Sequence, residues 1–441
     1  MTQLRLYNNF NFKLHWGVIA ISSAGSYFTL VALPWLALGL SKNSPLVVTT
    51  LLACSSLPQG FAILFGGGLA DRFSAYQTLW LSRAALALAL FSLALLTATT
   101  VFPLWILYLY AFGLGCLASI ATPASQALLP RIVETNDLPK ANGVVVTTFQ
   151  LSQLVGPIAA GWTIWFIKHV RGVPDEQTDT ISFAIAFGIE AAALVLATAL
   201  LSLMRLKPAV QQKGDLVQLI REGIRFCWRD TGIRMVLGYL LLISFFVQGT
   251  LLASLPLFTK FNLGLSERAY GTLYGMLGCG TILGAGLAAW LRPAARILGG
   301  VVLGCDLTVG LALYSLSRSH SPWTAGAALV LMGIGLGLTA VAGVSWFQLR
   351  TPGEYMGRVM SMLMFAVFGM IPISATLTGY LASHFSVSAV MRGASAVIVT
   401  FTLIGLSIRS IREMGAAPQP EVEPVFEPES LTALAEPSKG E

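Results

Sequence analysis

The sequence predicts an all-α polytopic membrane protein whose twelve transmembrane helices form two six-helix repeats. Composition is the first observation, because 55% of the 441 residues are hydrophobic and only 11% are charged. Soluble domains carry roughly 25% charged residues, so this chain has too few charges to cover a globule that faces water. The other two observations are the length of the apolar runs and a similarity between the two halves.

Twelve apolar runs are long enough to cross a bilayer, which takes about 20 residues of helix. Polar breaks such as "SKNSP" (41–45) and "RIVETNDLPKAN" (131–142) separate them. The predicted spans, numbered 1 to 12 in chain order, are 14–40, 46–69, 77–99, 103–128, 141–167, 181–204, 233–258, 269–291, 296–317, 322–348, 357–384 and 387–409.

The charges of the loops predict the orientation, because Lys and Arg are enriched on the cytoplasmic side. With the amino terminus inside, few basic residues fall in outer loops. These are Lys42, Lys168, Arg171, Lys260, Arg268, Arg318 and Arg392. We therefore expect an integral protein of the bacterial plasma (inner) membrane with both termini in the cytoplasm, and a first apolar run that is a retained helix and not a signal peptide.

The predicted domain organisation has four parts: an N-terminal six-helix bundle (1–204), a cytoplasmic linker (205–232), a C-terminal six-helix bundle (233–409) and an acidic tail (410–441). In the linker, Arg221, Arg225 and Arg229 recur on one helical face, which favours an amphipathic helix on the anionic inner leaflet. A solvated linker without a lipid role is the alternative. The tail carries seven Glu against one Lys from Glu413 onward, and we expect it to be disordered.

Three short matches relate the two bundles in order. "ALPWL" (32–36) matches "SLPLF" (254–258), "GGLAD" (67–71) matches "AGLAA" (285–289), and "GPIAA" (156–160) matches "IPISA" (371–375). Parallel six-span repeats predict a substrate cavity at their interface near mid-membrane, with the halves rocking about it. A carrier is therefore the function that the repeats favour.

Two motifs carry a family resemblance. "GGLADRF" (67–73) follows span 2, and "LVGPIAAG" (154–161) in span 5 contains the glycine-proline pattern Gly156, Pro157 and Gly161. With twelve spans, these stretches resemble the major facilitator superfamily, and in particular its drug:proton antiporter branch, which includes macrolide efflux and enterobactin exporter proteins. "ATPASQALLPRIVETNDLPKAN" (121–142) and "TPGEYMGRVMSM" (351–362) are similar to stretches of that branch.

The resemblance implies a cytoplasmic latch between the inner ends of spans 2, 4 and 11. Its candidate residues here are Gly67, Asp71, Arg72, Arg131 and Arg358. Where the family turn continues with glycine and arginines, this chain has Ser-Ala-Tyr at 74–76, so we expect a weaker latch. The alternative is that the Asp-Arg pair merely ends a helix on an inner loop.

The resemblance also implies that spans 1, 4, 7 and 10 surround the substrate, with spans 2, 5, 8 and 11 beside them. Polar and aromatic candidates for this cavity are Ser22, Ser26, Tyr108, Ser119, Thr122, Gln126, Gln150, Gln153, Ser244, Gln248, Thr339 and Trp346. The alternative is that these hydroxyls and amides bond neighbouring helices. Spans 1, 4, 7 and 10 have no carboxylate at mid-depth, which favours a bulky, apolar or amphipathic substrate.

Charged residues inside other spans are candidates for proton coupling. Glu190 lies midway along span 6, Asp306 midway along span 9, and Arg83 about two turns into span 3. An intramembrane charge costs at least about 2.5–3.5 kcal/mol and is therefore a functional candidate. The alternative is that a carboxylic acid stays protonated or pairs with a polar neighbour to hold helices together.

Other chemistry finds little support. The sequence has no phosphate-binding loop, no His-Glu-x-x-His pattern and no cysteine pair with metal-ligand spacing. We therefore expect no enzymatic activity, no cofactor, no metal and no nucleic-acid partner. The expected partners are a small-molecule substrate, protons and membrane lipids, and the chain is expected to be a monomer.

The function that these observations favour is proton-antiport export of amphipathic or hydrophobic compounds, such as drugs, macrolides or siderophore-like molecules, by alternating access. Multidrug resistance is the phenotype that such efflux predicts. A carrier of lysophospholipids or other lipids is one alternative. A membrane scaffold or sensor that transports nothing is the other.

Overall fold

A computed structural model shows a bundle of long helices. It describes residues 6, 8–72, 75–99, 103–134, 137–174, 177–204, 224–291, 298–351 and 355–407, and for 59, 61–72, 139, 349 and 357 the backbone alone. The side chains of Gly67, Asp71 and Arg72 therefore lie outside the described residues. So do residues 205–223 of the predicted linker and the acidic tail.

The helices of the twelve spans have the following bounds. The first six are Phe10–Leu40, Pro45–Arg72, Ala75–Thr99, Leu104–Ile132, Leu138–Val170 and Thr180–Ser202. Span 7 consists of Thr231–Ser244, a π-helical turn Phe245–Gly249 and Thr250–Phe261. The remaining spans are Glu267–Leu291, Leu298–Ser317, Pro322–Arg350, the pair Met356–Phe368 and Ile371–His384 in span 11, and Val387–Ser407.

Side-chain caps explain where several spans begin. Asn9, Asp179 and Asp230 precede spans 1, 6 and 7, and each accepts a hydrogen bond from a backbone N–H of the first helical turn. Such a cap satisfies one of the donors that a helix leaves unpaired at its start. The short loop between spans 1 and 2 reverses direction through Lys42 and Asn43, both with positive φ.

Eleven of these helices are long and apolar enough to cross a membrane, and a shorter apolar stretch, Pro45–Pro58, lies in span 2. Because a bilayer offers no partner for backbone N–H and C=O groups, helices that satisfy both internally are the expected spanning elements. The prediction of an all-α fold with twelve spans in two repeats is confirmed. The protein is an integral membrane protein.

Two spans depart from regular α-helix, and the sequence did not reveal either departure. In span 7 the π-helical turn leaves the carbonyl of Phe245 to accept a hydrogen bond from the hydroxyl of Ser374 in span 11. Span 11 breaks after Phe368 and restarts at Ile371, where Pro372 occupies the first helical turn. Proline fits there because that turn needs no N–H donor.

Candidate transport site

Spans 5 and 8, which belong to different repeats, approach each other through glycines. A methyl group on Gly271 would overlap the carbonyl oxygen of Pro157, and one on Gly161 would lie 2.6 Å from the carbonyl oxygen of Glu267. Small residues let helix backbones pack this closely in membranes. The segment "GPIAAG" (156–161), predicted as an antiporter motif, is therefore the surface of span 5 on which span 8 packs.

A buried ion pair lies at the predicted outer end of this contact. Lys168 Nζ is 3.7 Å from Glu267 Oε1, and the two side chains are 1% and 5% exposed. Next to the pair, the guanidinium of Arg268 lies 4.9 Å from the ring centroid of Trp162 and 4.6 Å from that of Trp165. We call these five residues the outer seal, because they join the two repeats at one face of the bundle.

Spans 2 and 11 form the second described contact between the repeats, and small residues carry it. A methyl group on Gly379 would overlap the side chain of Thr49. Nearer mid-depth, one on Gly60 would lie 3.1 Å from the carbonyl oxygen of Gly369, at the break in span 11. This contact therefore rests on close packing.

Several predicted cavity residues bond helices of their own repeat. Ser22, Ser119 and Thr122 each donate to a carbonyl one turn earlier in the same helix. The hydroxyl of Tyr108, on span 4, donates to the carbonyl of Val47 in span 2 at 3.2 Å. Tyr108 therefore fits the alternative in which these hydroxyls bond neighbouring helices, whereas the other three hydroxyls bond within their own helix.

The predicted glutamines have different surroundings. Gln150 Oε1 lies 3.5 Å from Thr281 Oγ1, across the contact between spans 5 and 8. The backbone of Gln153 lies against Gly278 of span 8. Gln126 is exposed on span 4, as is Ser26 on span 1.

The remaining cavity candidates lie in spans 7 and 10 of the second repeat. Gln248 belongs to the π-helical turn of span 7, and Ser244 immediately precedes it. Such turns frequently mark functional sites in helices. Thr339 and Trp346, on span 10, line a small cavity together with Tyr239 of span 7.

Trp346 is held by an ion pair at the predicted inner ends of spans 7 and 10. Arg350 lies over its ring, 5.5 Å from the centroid, and donates to both carboxylate oxygens of Asp230 at 3.1 and 3.0 Å. Burial opposes ionisation of Asp230, but its hydrogen bonds to Arg350 and to the N–H of Ile233 outweigh that effect. The pKa of this carboxyl consequently lies below its usual range.

Glu190 turns from span 6 toward span 1. Its Oε2 accepts a hydrogen bond from the backbone N–H of Thr29 at 3.0 Å, and its side chain also packs against Gly25. The residue is 7% exposed. Glu190 is therefore buried against a helix that the family resemblance places around the substrate.

Asp306 is a buried carboxyl group of the second repeat, on span 9. Its Oδ2 accepts a hydrogen bond from the hydroxyl of Tyr239 in span 7 at 2.8 Å, and that hydroxyl also lies 3.4 Å from Thr402 Oγ1 in span 12. Asp306 is 3% exposed. Each repeat thus holds one buried carboxyl group against its own first helix.

The structure does not bring the three predicted coupling residues together. Arg83 lies on span 3 at 9% exposure, whereas the two carboxyl groups are bonded to spans 1 and 7. Of the predicted latch, Arg131 is exposed in the last turn of span 4. Arg358 lies over the ring of Tyr355, 5.4 Å from its centroid.

Sequence reasoning missed the charged and aromatic residues of the outer seal. Lys168 and Arg268 were interpreted as outer-loop charges, and no pattern in the sequence paired either with a partner. The sequence did hold one indication of this contact. Two tryptophans and a lysine lie near the end of span 5, and a glutamate and an arginine lie at the start of span 8, which is the same predicted side of the membrane.

Two six-helix repeats that meet through buried contacts define the class of protein. It is a polytopic membrane protein with a transporter fold. The model of the Major Facilitator Superfamily matches residues 16–375. The chain belongs to this superfamily.

Similar proteins agree with this assignment. An uncharacterized MFS-type transporter of Bacillus subtilis, YfiS, is 24% identical over 89% of this chain and 92% of its own length. The enterobactin exporter EntS of Escherichia coli is 25% identical over 67% of both chains. Among solved structures, a D-xylose-proton symporter superposes with a TM-score of 0.70 at 12% identity, covering 93% of this chain and 99% of its own. That likeness concerns the fold alone.

Proposed function

We propose that the chain exports amphipathic or hydrophobic small molecules from the cytoplasm by alternating access, in exchange for protons. The observation that carries this proposal is the outer seal, because it closes one face of the bundle with side chains from both repeats. A closure of this kind can be opened by rocking one repeat against the other. The host membrane would be a bacterial inner membrane, with the outer seal facing outward and both termini in the cytoplasm.

The chemistry of the predicted cavity supports an amphipathic substrate. The candidates on spans 1, 5 and 7 are hydroxyls and amides. Such a lining suits a ligand held mainly by apolar contact and oriented by a few hydrogen bonds. The relative named as an enterobactin exporter supports export as the direction. The chain would work as a monomer surrounded by membrane lipids.

Glu190 and Asp306 are the proposed proton carriers. Each is buried and bonded to the first helix of its repeat, by a backbone N–H in one case and by a tyrosine hydroxyl in the other. Because rocking moves that helix relative to the opposite repeat, gain or loss of a proton at either carboxyl group would be linked to the conformational change. Both partner helices also contact the opposite repeat, span 1 against span 8 and span 7 against span 2.

Reconstituted vesicles with an imposed pH gradient test the proposal. The probes are a macrolide, a catecholate siderophore, doxorubicin and a lysophospholipid, each assayed with and without the gradient. We expect gradient-driven movement of at least one of the first three. Movement of the lysophospholipid alone would favour the lipid carrier, and movement of none would contradict transport by this chain.

A substitution of Glu190 separates coupling from folding. Glu190→Gln keeps the size of the side chain and an oxygen that can accept from Thr29, but it cannot release a proton. We expect gradient-driven transport to fall at least tenfold, to the rate seen without a gradient, while substrate binding persists. Glu134→Gln, an exposed loop change, is the matched control and should leave transport unchanged. A Glu190→Gln protein that keeps full gradient dependence would remove this residue from the coupling mechanism.

A further inference from the structure

Two tyrosines join the repeats on the inner side of the outer seal. Tyr27, on span 1, and Tyr274, on span 8, have ring centroids 6.3 Å apart at an interplanar angle of 58°. The fully buried Tyr270 stands behind Tyr274, with centroids 6.1 Å apart. Tilted ring pairs at this separation are attractive, so the aromatic pair is a direct contact between the two halves.

The antiporter motif provides the space for this pair. A methyl group on Gly156 would overlap the ring of Tyr27, so that ring can occupy its position only because span 5 carries a glycine there. One turn nearer the predicted inner face, the hydroxyls of Ser23 and Ser152 lie 2.9 Å apart and hold span 1 on span 5. The position of Tyr27 is therefore determined by span 5 as well as by its own helix.

The polar atoms around this pair have no protein partner among the described residues. Tyr27 and Tyr274 are half-buried, and neither hydroxyl forms a hydrogen bond to a described residue. The same holds for the side-chain amide of Gln153, one turn from Gly156. A polar group that faces hydrocarbon without a partner is costly. We therefore place these three groups toward a space between the repeats that holds water or substrate.

We propose that Tyr27 and Tyr274 form a binding surface for a planar aromatic group that carries hydrogen-bond acceptors, and that this surface exists only while the outer seal is closed. The substrate ring stacks on the tyrosine faces, and the two phenol hydroxyls and the Gln153 amide donate to its acceptor oxygens. This inference deepens the proposed export function and rests on it.

The binding surface depends on the conformation of the protein because its two rings lie on opposite repeats. Opening the outer face moves spans 1 and 5 away from span 8, which separates Tyr27 from Tyr274 and leaves the substrate with one ring. The substrate then binds less tightly to the protein with an open outer face than to the protein with a closed outer face. That difference favours release outward, as an exporter requires.

Binding to the purified protein in nanodiscs tests the inference without any gradient. The probe is doxorubicin, a fluorescent planar aromatic cation with quinone and hydroxyl oxygens, and the comparison ligand is the aliphatic cation dodecyltrimethylammonium. Tyr27→Phe and Tyr274→Phe remove only a hydroxyl each and should raise the Kd for doxorubicin about threefold to tenfold. Tyr274→Leu, which also removes the ring, should raise it further. Tyr314→Leu, on the exposed side of span 9, is the matched control for loss of a tyrosine ring.

The affinity for dodecyltrimethylammonium should change less than twofold in all four variants. Opening the seal with Glu267→Gln should weaken doxorubicin binding although this residue lies about two helical turns from Tyr274 along span 8. Wild-type affinity for doxorubicin in both phenylalanine variants, or equal losses for the two ligands, would overturn the inference. If the binding results hold but vesicles show no gradient-driven transport, the export function fails and the tyrosine site stands. If the vesicles export a macrolide but the protein does not bind doxorubicin, the tyrosine site fails alone.

Discussion

The contact between spans 5 and 8 and the contact between spans 2 and 11 are built differently, although the internal repeat relates them. Spans 5 and 8 meet through a buried ion pair, a cation stacked on two tryptophans and backbone-to-backbone packing at Gly271. Spans 2 and 11 meet through small residues such as Gly379 against Thr49. The first contact combines charge with packing, whereas the described part of the second uses packing.

The same difference is visible within the repeated proline motifs. Span 5 is one continuous helix through Pro157, while span 11 is interrupted just before Pro372. The break lies against Gly60 of span 2. A continuous span moves as a rigid element, and an interrupted one can bend at its break. We infer that spans 5 and 8 separate as units when the outer face opens, and that span 11 bends against span 2.

Breaking the ion pair between Lys168 and Glu267 should have the largest effect on the contact between spans 5 and 8. Glu267→Gln removes the carboxylate that lies 3.7 Å from the buried ammonium of Lys168, and breaking a buried ion pair by removing one partner costs about 3–5 kcal/mol. We expect the population with an open outer face to rise at least tenfold. Distances between spin labels at Lys42 and His320, in outer loops of the two repeats, measure that population.

The matched control is the pair Lys140–Asp137, 3.8 Å apart at the predicted inner end of span 5, whose lysine side chain is 50% exposed. Lys140→Met should leave the distance distribution unchanged, because both residues lie at the start of span 5 and the pair does not join the two repeats. The exchanged variant Lys168→Glu with Glu267→Lys should restore part of the closed population. An unchanged distribution in Glu267→Gln would contradict the role of the seal.

Glycine substitutions should have an intermediate effect that distinguishes the two contacts. Gly271→Ala places a methyl group on the carbonyl of Pro157, which only a backbone shift relieves, at a cost of about 1–3 kcal/mol. Gly60→Ala, in the contact between spans 2 and 11, would place its methyl group 3.1 Å from the carbonyl oxygen of Gly369, which a much smaller displacement relieves, so its cost is smaller. Thermal unfolding in detergent measures both. Gly286→Ala, on span 8 with open space around it, should be neutral, and equal losses for all three would refute the distinction.

Removing the stacked cation should have the smallest effect. Arg268→Gln loses contacts with two tryptophans, which are worth about 0.5–2 kcal/mol depending on exposure. We expect a shift toward the open outer face several-fold smaller than that of Glu267→Gln in the same spin-label experiment. Arg318→Gln, in an outer loop, serves as the control for loss of a positive charge. A larger shift for Arg268→Gln than for Glu267→Gln would reverse the assigned ranking.

Much of the fold could be predicted because membrane spans are a local property of the sequence. Span 2, predicted at 46–69, is the helix Pro45–Arg72, and span 8, predicted at 269–291, is Glu267–Leu291. Hydropathy within a short window decides where such helices begin and end. The irregular parts were missed because the π-helical turn at Phe245–Gly249 depends on a carbonyl that Ser374 satisfies from another span.

The candidate site could be predicted only in part. Glu190 and Asp306 were found because charge inside an apolar run is visible in the sequence, and both are buried as that cost implies. Their partners were not visible, since one is the backbone N–H of Thr29 and the other a tyrosine of another span. Tyr108 was predicted to line the cavity, but its hydroxyl bonds span 2.

The sequence by itself determined that this chain is a twelve-span membrane protein of the Major Facilitator type, because hydrophobic length and two short motifs suffice for that. Only the tertiary structure decided that Lys168 meets Glu267 and that Tyr27 meets Tyr274. Such pairs depend on the rotation and depth of helices that are distant along the chain. Glycines that let two backbones approach closely contribute to both the rotation and the depth of these helices. Their effect appears only when two helices pack together.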